Sequence, residues 1–178
     1  MVLMLNKPLG LLTTTRDDRG RKTVLDILPA EYRGLGLYPV GRLDHDTSGL
    51  LLLTNDGSLT FRLTHPRFEL GKEYHVHVET TLSAQERESL ERGMLLDDGI
   101  TAPAAVKEIS YDPPYNYSIT IHEGRTRQVR RMFAHLGYTV RALKRVRMGN
   151  LRLGELAEGH FKKLSVQEIA SALREHKK

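Results

Sequence analysis

This chain predicts an α+β fold built on a mixed or antiparallel sheet. Segments of strand character follow one another with helices interspersed, not in the regular alternation that makes a parallel doubly wound sheet. At 178 residues the chain is long enough for one domain with a substantial core, arranged as two lobes of roughly 1–70 and 71–178 that share a cleft. It contains no cysteine, so no disulfide or thiolate chemistry contributes.

The elements read as follows. "VLML" and "LLTTT" are strands on either side of the turn-forming "NKPLG", and "TVLDILP" is a brief helix stopped by Pro29. "RGLGLYPVG" is glycine-rich and reads as a loop. "GLLLLTNDG" is a buried strand closed by an Asn-Asp-Gly turn, with a short helix from Ser58 to about Leu63 after it. "KEYHVHVE" alternates, which puts Tyr74, Val76 and Val78 on one face and Glu73, His75 and His77 on the other. Ser83 and Glu86 form a capping box that opens an exposed helix ending at Gly93. "AAVKEIS" and "YSITIHEG" are strands separated by the proline turn "YDPPYN". Val129, Met132, Phe133 and Leu136 recur at helical spacing before Gly137, giving an amphipathic helix with arginines on its outer face. "TVRALKRVRMG" and "FKKLS" complete the strands, and Ser165 with Glu168 caps a last helix.

The net charge is +5, but its distribution says more. Residues 125–147 hold Arg125, Arg127, Arg130, Arg131, Arg141, Lys144, Arg145 and Arg147 without one acid. A second basic cluster, "RDDRGRK", contributes Arg16, Arg19 and Arg21. Such a cluster favours a polyanion, above all nucleic acid. The N-terminal run has no basic leader before it, and Leu50–Leu53 is far short of the roughly 20 apolar residues that cross a bilayer. A soluble, cytoplasmic protein is expected.

"VGRLDHDTSGLLLLTNDG" sets Asp44 on the loop that enters the buried strand. An Asx-turn is the ordinary fate of such a residue. A metal site of Asp44, His45 and Asp46 fails because consecutive side chains diverge and no second ligand cluster is suitably spaced. A nucleophilic carboxylate needs a neighbouring cation and a desolvated pocket. Arg42 is one such cation. Arg130, at the edge of the apolar stripe, is another, since a half-buried guanidinium calls for an acid. His75 and His77 share a strand face but have no third ligand, and Ser48 with His122 lacks a nucleophile elbow. Neither nucleotide-binding glycine motif occurs, so no cofactor is expected. Tyr74 is either core or a platform for a base.

Taken together and in order, "NKPLG", "RDDRGRKTVLDILP", "YPVGRLDHDTSGLLLLTNDG", "LTHP", "KEYHVHV", "IHEGRTRQVRRMFAHLG" and "LKRVRMGNLRLGEL" resemble the RsuA-type pseudouridine synthases. Their wording is closer to the branch acting on large-subunit ribosomal RNA than to the small-subunit branch. The resemblance implies a pseudouridine synthase fold, a curved and mostly antiparallel sheet flanked by helices with a central catalytic cleft. It also implies a monomer without metal or cofactor that acts on ribosomal RNA, either folded or in an assembly intermediate.

Position by position, Asp44 matches the family's catalytic aspartate and Tyr74 the tyrosine that stacks on the target ring. Arg130 matches the basic residue paired with the carboxylate, and Arg42 the arginine associated with extruding the target base. Arg125, Arg127, Arg131, Lys144, Arg145, Arg16, Arg19 and Arg21 are the expected RNA contacts. Many relatives carry a small RNA-binding domain ahead of the catalytic one, and no such domain is expected here. The competing reading is an RNA-binding assembly protein on the same scaffold without catalysis.

Overall fold

The computed structural model describes residues 1–68 and 70–172. The strands are β1 (Val2–Lys7), β2 (Tyr38–Val40), β3 (Ser48–Thr54), β4 (Lys72–His77), β5 (Leu95–Leu96), β6 (Gly99–Ile100), β7 (Ala105–Glu108), β8 (Tyr117–Ile121), β9 (Ala142–Met148), β10 (Leu151–Arg152) and β11 (Phe161–Lys163). The helices are α1 (Ala30–Arg33), α2 (Gly57–Thr64), α3 (Ala84–Arg92), α4 (Gln128–His135) and α5 (Val166–Ala172), with a 3-10 turn at Pro66–Phe68. No helix among the described residues is long and apolar enough to cross a membrane.

One sheet runs in the order β11-β1-β3-β9-β4-β8-β7, with β2 also on β3 and β10 also on β9, while β5 and β6 form a separate hairpin. All pairings of this sheet are antiparallel except that of β3 with β9. The parallel pairing is short, with Ser48 opposite Lys144 and Gly49 opposite Arg145. It is the seam between the half built on β1 and β3 and the half built on β4, β8 and β9.

"LLLL" is continuous because β3 is covered on both faces. Leu51 and Leu53 join Leu3, Leu5, Val76 and Phe133 in one apolar cluster, while Leu50 and Leu52 join Val2, Met4, Leu59 and Leu63 in another. α2 begins where Asp56 accepts hydrogen bonds from the backbone N–H groups of Ser58 and Leu59. α3 carries the full Ser83–Glu86 capping box, and α4 buries Val129, Met132 and Phe133.

Three local expectations are corrected. "LLTTT" makes only an isolated bridge from Leu12 to Thr23, because the Thr13 and Thr14 hydroxyls donate to the carbonyls of Leu43 and Arg16. "TVLDILP" is a run of turns, since the Asp26 carboxylate ties back the Thr23 amide and hydroxyl, and the helix starts only at Ala30, after Pro29. "RGLGLYPVG" contains β2, held to β3 by three residue pairs from Tyr38–Thr54 to Val40–Leu52.

Gly49 is what lets the seam close. Its φ is +104°, and a Cβ there would lie 2.2 Å from the backbone oxygen of Arg145. Gly49→Ala is therefore expected to lower the unfolding free energy by at least about 2 kcal/mol, measured by urea denaturation. An unchanged midpoint would show that the seam has slack.

Candidate active site

The Asp44 loop is fixed from beneath by a lysine. Lys7, fully buried at the end of β1, donates from Nζ to the carbonyls of Thr47 at 2.9 Å and of Asp44 and Pro8 at 3.1 Å each. Burial pushes this ammonium down to about 8, against the pull of the Asp44, Asp46 and Glu158 carboxylates. The Thr47 amide closes a turn onto the Asp44 carbonyl, and the Gly10 amide donates to the His45 carbonyl. With its backbone so occupied, the loop directs the partly exposed Asp44 carboxylate to a cleft.

That cleft, of about 350 Å³, spans the seam. Gly41, Arg42, Leu43, Asp44 and Thr47 line it from the first half of the chain. Lys72, Tyr74, Leu143, Arg145 and Met148 line it from the second, with residues 121–129 along another side. Its wall is mixed, with the apolar Leu43, Val129, Leu143 and Met148 set among many polar and charged side chains.

Tyr74 is buried on β4, and its hydroxyl lies 3.5 Å from Nη1 of Arg145. Arg145, expected among the RNA-contacting cations, is only 2% exposed, because it shares the cleft-facing side of β9 with Leu143, opposite Tyr74 in the register. Its Nε donates to the Leu50 carbonyl at 2.8 Å, across the seam, while its buried Nη2 has no partner among the described residues. A buried guanidinium with an uncommitted donor in a cleft is a site for an anion or a carbonyl.

The arginine nearest Asp44 is also not the expected one. Arg130 reaches Asp46, with Nε 3.3 Å from its carboxylate and Nη2 2.6 Å from its carbonyl, and Nη1 donates to the Val140 carbonyl. Burial draws its guanidinium below its ordinary value. Arg127 grips the Asp46 carboxylate with two hydrogen bonds of 2.8 and 2.9 Å and lies 3.8 Å from the Asp44 carboxylate. Those two bonds are the first cause holding Asp46 below the usual carboxylate range. Arg127 has φ +50°, the left-handed conformation, which is uncommon outside glycine. This turn, placed just before α4, swings its side chain toward the aspartates and is invisible to helical periodicity.

The other expected cations divide by partner. Arg125 and Arg131 clamp the β5–β6 hairpin, Arg125 through Asp98 and the Gly99 and Ile100 carbonyls and Arg131 through Asp97 and Asp98, while Arg125 also pairs with Glu123. Lys144 lies opposite His75 on the far face of the sheet, 3.7 Å from Asp112. Arg21 pairs with Asp17 and Arg16 with Asp18, and neither they nor Arg19 line the cleft. Arg42 is exposed at the rim and has no carboxylate partner among the described residues. Lys72 was not expected in the site. The alternation of its strand puts it on the same face as Tyr74, and it lines the cleft, where burial and then the charge of Arg145 push it down to about 8.

Comparison with known proteins agrees with this architecture. The family model described as RNA pseudouridylate synthase matches residues 1–135. The ribosomal large subunit pseudouridine synthase B of Bacillus subtilis (strain 168) is 44% identical, over 98% of this chain and 73% of its own length. The ribosomal large subunit pseudouridine synthase E of Vibrio parahaemolyticus is 39% identical, over 93% of this chain and 74% of its own. A crystal structure of a pseudouridylate synthase superimposes with a TM-score of 0.86 at 37% identity, covering 96% of this chain and 73% of that one.

Lys72 is a cation below about pH 8 and neutral above it. The affinity of the cleft for a polyanion is therefore expected to fall as the pH rises from roughly 7 to roughly 9. Filter binding of polyuridylate checks this: the native chain weakens across the interval, and Lys72→Gln loses most of that slope. Parallel curves for the two proteins would assign the titration elsewhere.

Proposed function

The chain belongs to the RNA pseudouridylate synthase family, and from that premise we propose that it isomerises a uridine of large-subunit ribosomal RNA with Asp44 as the catalytic carboxylate. The names of the two relatives favour the large subunit as the source of the target. The observation that carries the catalytic assignment is the meeting of Asp44, Tyr74 and Arg145 in one cleft across the seam.

The reaction breaks the N1–C1′ glycosidic bond, turns the detached uracil, and joins C5 to C1′, with the C5 hydrogen leaving as a proton. The proton lost from C5 is balanced by one taken up at N1, so no atoms are gained or lost overall, and the demand on the protein is to hold the ring while its bond to the ribose is broken. The apolar wall of Leu43, Val129, Leu143 and Met148 suits that task. Tyr74 offers its ring as a stacking surface. Arg145, with its open Nη2, is suited to a uracil carbonyl or to charge that develops on the ring. We assign it the basic role in place of Arg130, which turns to Asp46 and the Val140 carbonyl and does not line the cleft. Asp44 attacks C1′, adds to the ring or promotes elimination to a glycal, and Arg127 supports its charge.

A target in folded RNA must first leave its stack, which calls for cations on phosphate and a side chain to fill the gap. Arg42 at the rim is placed to fill it. The whole chain serves as the catalytic domain. The acting unit is a monomer. The substrate is folded ribosomal RNA or an assembly intermediate, in the cytoplasm.

The test uses transcripts labelled with tritium at uridine C5, since only C5 joining releases the label. The native chain is expected to release tritium from large-subunit but not small-subunit ribosomal RNA, and Asp44→Ala to lower the rate by more than roughly 1,000-fold while still binding the RNA. Substantial release by Asp44→Ala would overturn the nucleophile. Binding without any release by the native chain would favour the non-catalytic RNA-binding reading.

A further inference from the structure

The cleft has an aromatic corner that none of the above uses. At the end of α2 and in the 3-10 turn after it, Phe61, His65, Arg67 and Phe68 form a ring cluster. The Phe61 and His65 rings are 4.6 Å apart, and Phe61 meets Phe68 edge-on at 6.2 Å. The Arg67 guanidinium lies 4.5 Å from the Phe68 ring centre and 5.5 Å from that of Phe61. Phe61 is 48% exposed, on the side of α2 away from the buried Leu59 and Leu63. The corner adjoins the cleft, since Thr64 and His65 line it. His65 accepts the Arg67 amide hydrogen at Nδ1, which leaves Nε2 as the protonated nitrogen.

The charge is as informative as the rings. The cations of residues 125–131 are largely occupied by Asp44, Asp46, Asp97, Asp98 and Glu123. Arg62 and Arg67, in contrast, have no carboxylate partner among the described residues. Residues 57–68 hold no acid, and Glu69, next in the sequence, lies outside the described residues. Exposed rings interleaved with guanidinium groups that have no carboxylate partner are the composition that holds unstacked bases and their phosphates. A purely structural cluster would be expected to bury Phe61.

We propose that Phe61, His65, Arg67 and Phe68 form a stacking subsite for a base that neighbours the target uridine in the RNA chain. Phe61 carries the base, and Arg62 and Arg67 meet the adjoining phosphates. The subsite rests on the RNA-modifying reading above, extends the contact beyond the flipped nucleotide, and gives the RNA a path from the Arg42 rim over the end of α2.

The test is equilibrium binding of a short single-stranded oligoribonucleotide containing 2-aminopurine, whose fluorescence is quenched on stacking. It compares the native chain with Phe61→Leu, which keeps an apolar side chain but no ring, and with Phe61→Tyr, which keeps the ring. The expected result is quenching by the native chain and by Phe61→Tyr, with Phe61→Leu binding about tenfold more weakly and quenching less. Equal affinity and quenching with all three proteins, or no binding by the native chain, would overturn the subsite. The measurement needs no turnover. Loss on Phe61→Leu in a chain that releases no tritium would keep the subsite and end the isomerase reading, whereas normal tritium release with an indifferent Phe61→Leu would do the reverse.

Discussion

The two halves of the sheet are joined by two residue pairs, Ser48 with Lys144 and Gly49 with Arg145, and the cleft depends on that join. The first half brings Asp44, on the loop feeding β3, and the second brings Tyr74 and Arg145 from β4 and β9. Their relation is set by how closely β3 and β9 approach. Gly49 removes the side chain that would hold the strands apart, and the Arg145 Nε bond to the Leu50 carbonyl ties them together from within the cleft. One residue thus serves as fastener and as cleft lining, and the strand contact and the site cannot vary independently.

The Asp44 loop shows the same economy with a different charge. Burying the Lys7 ammonium costs hydration, and three carbonyls of the loop and its surroundings replace the lost water. A carboxylate taking that ammonium as a direct partner would be turned inward. By donating only to carbonyl oxygens, Lys7 fixes the backbone and leaves the Asp44 side chain free to face the cleft. Arg127 completes the arrangement from α4, and its left-handed backbone is the local strain that brings a helix-start residue over the loop.

Much of this was legible in the sequence, where local physics and tertiary structure agree. The Ser83–Glu86 box, the stripe of α4 and the apolar run of β3 are each set by neighbours along the chain. β2 was not legible, because Tyr38–Val40 is a strand only by virtue of the β3 edge beside it, and the surrounding glycines argue for a loop. The β5–β6 hairpin is too short to show alternation, and what holds it is Arg125 and Arg131 from far along the chain. In the site, the motif resemblance singled out Asp44 and Tyr74, which do share the cleft. Composition placed Arg145 with its basic neighbours, although strand parity separates it from Lys144 and sends the two to opposite faces. A register shift between Glu73 and Tyr74 decides what lies opposite Arg145, and no single-strand pattern reveals a shift between strands.

The sheet order also bears on how the protein is made. β1 lies between β3, which ends at residue 54, and β11, which begins at residue 161. During vectorial synthesis β2, β3 and β1 can pair early, but one edge of β1 stays open until nearly all of the described chain has emerged, and the start of β3, beyond the reach of β2, waits for β9. An apolar strand with exposed edges over that interval is a template for mispairing with other nascent chains. The closing strand reads "FKK", and its two lysines put charge on the outer edge of the finished sheet, at the border where further strand addition would otherwise begin.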